Sequence, residues 1–355
     1  MSQNDIIFSF LLLVGSYAIN KYLIILLKNS KFNFLEDNQF KKPQAFHDIS
    51  TPRLGGIIIF IQLIIVCLYL FYSKNIFHLE YISFCLLFFF LGFLDDIKIN
   101  LSQTSRLLFM IILLITLVLL NDFYVEKTGF TFLNNLLASS NIFSVMFICL
   151  CFLFIINGSN LIDGFNGLLG IHALIILIVL FSINFVNNNN DLIYILLFSS
   201  IIILVFLKFN FPHASMFLGD SGSYLIGSLL AISTVNTSIL NPSISPFFFC
   251  ILLVYLFFEA FFTFLRKYFI EKKHPLHPDN KHLHMLLHYF FLSQNKEKIK
   301  SNYLVSIYIN FIYLILIIPS FFFKDVGLLC KYYFLFLIVL YFFIYFFLQR
   351  KKILD

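Results

Sequence analysis

The first residues in this sequence with chemistry to offer are two adjacent carboxylates, Asp95 and Asp96. They lie in LGFLDDIKINLSQTSR (Leu91–Arg106), after the apolar run Tyr81–Phe93 and before a second, Leu107–Leu120. Adjacent carboxylates repel each other, and at a helix C-terminus they also oppose the helix dipole. Such a pair is tolerable when solvated, and useful when it holds a divalent cation or takes a proton. Ionisable groups at membrane depth are functional by default. The same stretch supplies Lys98, a candidate N-cap in Ser102, and Arg106 about one turn into the next helix. There Arg106 either meets a lipid phosphate or snorkels to the surface.

Four more polar loops carry similar groups. HDISTPRLGG (His47–Gly56) sets Arg53, a fixed cation suited to phosphate, beside a rigid Pro-Gly-Gly turn. NGSNLIDGFNGLLG (Asn157–Gly170) has no Lys or Arg but contains Asn160, Asp163 and Asn166 at every third position. On a helical turn these crowd toward one side, where they can grip a sugar, a nucleobase or hydrated magnesium. FPHASMFLGDSGS (Phe211–Ser223) places Asp220 just before an apolar run, with Ser221 or Ser223 as the cap. A helix N-terminus there offers N–H groups to anions, and Asp220 can hold Mg²⁺ against a diphosphate. His213 reads as a loop residue without a chemical role. KKHPLHPDNKHLHMLLH (Lys272–His288) holds five histidines. His284 and His288 share a helical face, but without H-E-x-x-H or a nearby cysteine a zinc site is disfavoured. A cationic cradle for phosphates from Lys281, His282 and His284 fits the other loops better.

The elements that position these loops are membrane spans. The chain has 355 residues, 60% hydrophobic and 12% charged, with a mean hydropathy of +0.93. Soluble domains carry roughly 25% charged residues. Runs near the ~20 residues that cross a bilayer recur throughout. Eleven spans are expected, at about 6–28, 56–73, 79–94, 106–120, 142–157, 167–186, 191–208, 222–239, 246–268, 303–322 and 326–348. The last two are separated only by Lys324 and Asp325, so ten is the alternative count. The first run has no basic flank or cleavage site and reads as a span, not a signal peptide. The fold class is therefore all-α and polytopic, one integral membrane domain over 1–355.

Charge sets the orientation. The loops 28–55, 95–106, 157–167, 208–221 and 266–302, with the tail 349–355, hold 19 Lys and Arg, against 4 in the alternate loops. The positive-inside rule places the first set in the cytoplasm, with the N-terminus outside and the C-terminus inside. Every chemical-looking motif falls in that set. The six cysteines form no C-x-x-C pair and read as small apolar residues. Nothing points to nucleic acid. The 51 Phe residues carry no functional reading.

Taken together, TPRLGG (51–56), DD (95–96), NLIDGFNGL (160–168), LGDSGS (218–223) and PDNKHLH (278–284) resemble the polyprenyl-phosphate N-acetylhexosamine-1-phosphate transferases, and occur in that family's order along nearly the whole chain. Each motif is weak alone; five in order on one face are specific. The resemblance implies a bacterial inner-membrane enzyme with its active site on the cytoplasmic face. It implies transfer of sugar-1-phosphate from a UDP-N-acetylamino sugar to undecaprenyl phosphate, with release of UMP. It implies Mg²⁺, replaceable by Mn²⁺, with Asp220 as its ligand. One of Asp95 and Asp96 would deprotonate or orient the lipid phosphate, or an aspartate would be a covalent nucleophile. Asn160 and Asp163 would position the nucleotide or diphosphate, and His282 and His284 the diphosphate. The family also suggests a homodimer. Two departures stand out: Asn166 where a second Asp is usual, which puts metal binding there in doubt, and Met285 where a further His is usual. The Pro278-Asp279 lead-in and His-Leu-His resemble the branch that initiates O-antigen and wall polymers more than the phospho-muramoyl-pentapeptide branch, which has three histidines in a row.

Rival classes fit less well. An intramembrane prenyltransferase needs D-x-x-x-D motifs, and a CDP-alcohol phosphotransferase needs Ala-Arg soon after Asp163-Gly164; neither is present. A transporter predicts charges buried in mid-span and repeat symmetry, whereas the charges here are expected at helix ends.

Overall fold

The computed structural model describes residues 2–29, 36–37, 50–99, 101–125 and 127–354. Most of the first polar loop, including His47, lies outside the described residues. The helices are α1 (Gln3–Asn29), α2 (Gly55–Lys74), α3 (Leu79–Asp96), α4 (Gln103–Leu120), α5 (Thr131–Ser139), α6 (Asn141–Ile162) and α7 (Leu168–Val186), followed by α8 (Asn190–Asn210), α9 (Gly219–Leu240), α10 (Pro246–Leu252), α11 (Val254–Leu265), α12 (Leu283–Ser293), α13 (Lys298–Phe322) and α14 (Gly327–Leu354). A two-stranded ribbon, β1 (Glu36–Asp37) against β2 (Thr51–Pro52), is antiparallel.

Among the described residues, nine helices are long and apolar enough to cross a membrane, or ten with α10 and α11 taken as one bent span. The eighteen-residue α3 matches the third expected span, 79–94, but carries Glu80, Asp95 and Asp96. The protein is a polytopic, all-α membrane protein. Helix starts follow their caps: Ser102 accepts from the Ser105 N–H at 3.0 Å, as the sequence suggested. Lys324 and Asp325 do separate α13 from α14.

Two expectations need correction. The span at 246–268 is broken: α10 and α11 meet at 76°, and a π-helical turn, Arg266–Ile270, follows α11. The span ending near 157 runs on to Ile162, so Asn157 and Asn160 are helical.

α9 is the central helix. Its spanning window is 72% buried, against 17% for α14 at the periphery. Its sequence, GDSGSYLIGSLLAISTVNTSIL, is rich in Gly, Ser and Thr and is the least hydropathic of these spans. A helix enclosed by other helices does not have to satisfy lipid, and its small side chains admit close backbone approach. Gly92 shows how close: a methyl there would run into the Asp220 carbonyl and the Ser221 nitrogen. We expect Gly92→Ala to force α3 and α9 apart at a cost of about 3 kcal/mol, read as a lowered unfolding midpoint in detergent. An unchanged midpoint would refute the close approach.

Backbone bonds zip the first polar loop to the fourth. The Gly55 and Gly56 N–H groups donate to the Phe217 and Leu218 carbonyls at 2.9 Å each, and the Phe217 N–H donates to the Pro52 carbonyl at 2.8 Å. The N-termini of α2 and α9 are thereby held together at one end of the bundle.

Candidate active site at the α3–α9 junction

The start of α9 has no side-chain cap of its own. Neither Ser221 nor Ser223 caps it, contrary to expectation. Asp96, from α3, does so instead. Its Oδ1 accepts the Asp220 N–H at 3.0 Å, and its Oδ2 accepts the Ser221 N–H at 2.9 Å and the Ser221 hydroxyl at 2.6 Å. Arg53 reaches the same carboxylate at 3.4 Å. A carboxylate at a helix N-terminus meets unsatisfied N–H groups and the positive end of the dipole. Gly219 permits the approach: its φ is +79°, and a Cβ there would lie 2.6 Å from Asp96 Oδ2. The N–H groups expected to face an anion are therefore occupied by Asp96, whose side chain is fully shielded.

Asp95 points elsewhere. Its Oδ2 lies 2.7 Å from Arg106 Nη1, and that nitrogen also stands 3.7 Å from Asp220 Oδ2 and donates to the Tyr224 hydroxyl at 3.3 Å. Arg106 thus crosslinks two acidic residues of the site. Asn160 Nδ2 donates to Asp220 Oδ1 at 3.1 Å and to the Ser223 hydroxyl at 2.9 Å. Asp220 is the most open of the three aspartates, its side chain 33% exposed against 12% for Asp95.

Asp163 follows the end of α6. Burial, then the neighbouring carboxylates Asp220 and Asp96, push its carboxyl well above the usual carboxylate range, with Arg53 opposing. Carboxylates gathered this closely are an electrostatic opening for a cation. Among the described residues, no three His, Cys, Asp or Glu side chains form a closed metal cage. Magnesium keeps waters and binds through one or two carboxylates plus substrate phosphates. Asn166 is not part of this group. The helix ends at Ile162, so the every-third-residue spacing does not continue. Asn166 Nδ2 donates to the Pro212 carbonyl and its N–H to Asn302 Oδ1, both at 2.9 Å. It ties this turn to the Pro212 loop and to α13.

The histidine segment folds around its own charges. Arg266 bonds Glu271 and Asp279 at 2.7 Å each. Lys281, expected in a phosphate cradle, is instead paired with Glu271 at 2.8 Å. Burial would raise Asp279, but His282, Arg266 and Lys267 hold it below the ordinary carboxylate range. His282 and His284 are buried with parallel rings 5.3 Å apart. Burial, then His282, pushes His284 down to about 3, so it is neutral at physiological pH. Phe165, from the Asp163 turn, packs on His284 with ring centroids at 5.6 Å. That contact joins the histidine segment to the aspartate cluster.

The sequence reading missed one residue of this region. Glu259 is fully buried in α11 and accepts from His282 Nδ1 at 2.9 Å. The signal was present in VYLFFEAFF, a lone carboxylate inside an apolar span, and it corrects the expectation that charges lie only at helix ends. By contrast, His274 is exposed and its ring contact is with His277. We expect His274→Ala to leave turnover within about twofold, since exposed substitutions away from such networks perturb little. A loss as large as that of His282→Ala would extend the site to His274.

Aspartates, an asparagine and arginines from separate parts of the chain thus gather around one helix start. The comparisons give the class. Residues 78–238, which include Asp95, Asp96, Asn160, Asp163 and Asp220, match glycosyl transferase family 4. The undecaprenyl-phosphate alpha-N-acetylglucosaminyl 1-phosphate transferase of Thermotoga maritima is 30% identical over 320 residues, 90% of this chain and 89% of that protein. The phospho-N-acetylmuramoyl-pentapeptide-transferase of Prochlorococcus marinus (strain MIT 9301) is 30% identical over 83% of this chain and 90% of its own length. The enzyme of that name from Dictyoglomus turgidum is 31% identical over 65% of this chain and 75% of its own. The chain belongs to glycosyl transferase family 4, the membrane sugar-phosphate transferases.

Proposed function

We propose that this transferase moves N-acetylhexosamine-1-phosphate, GlcNAc-1-phosphate or a deoxy-amino-sugar relative, from a UDP-sugar to undecaprenyl phosphate, beginning a lipid-linked glycan. The observation that carries this reading is the likeness, over 90% of the chain, to a transferase named for those substrates. The open Asp220, held by Asn160 beside Arg106, supports it. An oxygen of the lipid phosphate attacks the sugar-bearing phosphorus of the diphosphate. The bond from that phosphorus to the bridging oxygen breaks, and UMP leaves. Such transfers need positioning and charge neutralisation above all. Asp95 orients the lipid phosphate or takes its proton, and Arg106 balances the charge that gathers there. Asp96, enclosed by α9, holds the site together. Asp220 and Asp163 would hold Mg²⁺, or Mn²⁺ in its place, and the bound ion would neutralise the diphosphate. The positive-inside count supports placing this end of the bundle on the cytosolic face of a bacterial inner membrane, where nucleotide sugars are found.

The second reading is muramoyl-pentapeptide-phosphate transfer, favoured by the names of the Prochlorococcus and Dictyoglomus relatives. The His-Leu-His sequence at 282–284 weighs against it. The deciding experiment is UMP release by purified protein in detergent with Mg²⁺ and undecaprenyl phosphate, across UDP-N-acetylamino sugars and UDP-N-acetylmuramoyl-pentapeptide. Lipid-dependent release with an N-acetylhexosamine supports the first reading, and with the pentapeptide only, the second. No release from folded protein with any donor would refute both.

A further inference from the structure

Glu259 is a buried carboxylate to which the transfer reaction, as read above, gives no part. It stands in α11, a segment otherwise without charge, and an unpaired carboxylate in such surroundings would be strongly destabilising. Its bonding is directional. Oε2 accepts from His282 Nδ1 at 2.9 Å, and Oε1 accepts from the Leu283 N–H at 3.2 Å and the Tyr341 hydroxyl at 3.1 Å. One side chain thus ties α11 to the start of α12 and to α14. Tyr255, about one turn earlier on α11, stands 3.3 Å from His284 Nδ1.

A carboxylate only accepts, so His282 Nδ1 carries a proton. The Nε2 atoms of His282 and His284 are both shielded and have no hydrogen-bond partner among the described residues; Asp279 Oδ1 stands 3.4 Å from the former. Buried polar atoms left in this way are costly and call for a partner.

We infer that Glu259 is a positioning residue. It fixes the His282 ring with Nδ1 protonated and leaves Nε2 to engage the diphosphate of the nucleotide sugar. This rests on the function proposed above. With Nδ1–H given to Glu259, any hydrogen bond from His282 to an anion uses Nε2–H, so the ring meets the diphosphate as a cation whose charge Glu259 offsets.

Glu259→Gln separates this role from packing. The amide oxygen can still serve Leu283 and Tyr341. The amide NH₂ then faces Nδ1, which must become an acceptor, so the ring is held neutral with its proton on Nε2. The expected result is a KM for the UDP-sugar raised about tenfold, the worth of a charged hydrogen bond. The KM for lipid phosphate and the unfolding midpoint should stay near wild type. In a His282→Gln background, Glu259→Gln should add no further loss, because the two act as one unit. In ¹⁵N-histidine spectra the His282 signal should change from the Nδ1–H to the Nε2–H form. A wild-type KM in folded Glu259→Gln protein, additive losses in the double variant, or an unchanged His282 tautomer would each overturn the inference. If wild-type protein released UMP from no donor, the functional reading would fail, and the tautomer measurement would still decide the role of Glu259.

Discussion

Asp220→Asn should lower UMP release by ~10³-fold or more while the protein inserts and folds as before, the scale seen when one preorganised charge-stabilising group is removed. The expectation comes from position. Asp220 is more open than Asp95 and Asp96, with Asn160 Nδ2 at 3.1 Å on one oxygen and Arg106 Nη1 at 3.7 Å from the other. Asparagine keeps the shape but loses the charge that a divalent cation needs. Asn160 would also meet an amide in place of a carboxylate oxygen, so some loss of order at Ser223 should accompany the change. Single-turnover transfer measured over a Mg²⁺ titration checks the prediction. Turnover near wild type at ordinary Mg²⁺ would remove Asp220 from the site.

The second large effect separates the two adjacent aspartates. Asp96→Asn should destabilise the protein by about 3 kcal/mol, because a buried carboxylate accepting several hydrogen bonds is replaced by a group that offers one acceptor and two donors. The Asp220 N–H, the Ser221 N–H and the Ser221 hydroxyl all donate to Asp96, so an amide nitrogen at either oxygen position opposes a donor. Activity should fall because the start of α9, which carries Asp220, loosens. Asp95→Asn should behave differently: turnover is lost, but the unfolding midpoint falls less, since the three bonds from the start of α9 to Asp96 stay in place. Unfolding midpoints and UMP release for both variants test the division. Equal midpoints for the two would refute the capping role of Asp96, and full activity in Asp95→Asn would refute its part in transfer.

These two results depend on a distinction that spacing does not show. In the sequence, Asp95 and Asp96 are equivalent: two carboxylates where an apolar run ends. Successive residues on a helix point about 100° apart. Asp96 therefore faces α9 while Asp95 faces Arg106, and only the packing of α3 against α9 reveals which is which. The same limit explains Asn166. A three-residue spacing puts groups on one side only while the helix lasts, and α6 ends four residues before Asn166. Lys281, which the sequence offers as a phosphate ligand, pairs with Glu271 at 2.8 Å, a residue ten positions earlier in the chain.

What the sequence determined by itself is the class of molecule, the approximate limits of most of its spans, and the loops that carry the chemistry. Hydropathy over some twenty residues is a local property set by bilayer thickness, and the alternation of loops then leads to the expectation that all five motifs share one face. Contiguous motifs also suffice for the family resemblance. Tertiary structure alone decided how the groups in those loops are used. It made Asp96 a cap supplied from another helix, left Asp220 open beside Asn160 and Arg106, and broke the span at 246–268. It also brought Glu259 to His282 across 23 residues of chain. Those outcomes depend on which helices touch and at what rotation. Side-chain packing between residues far apart in the chain sets both.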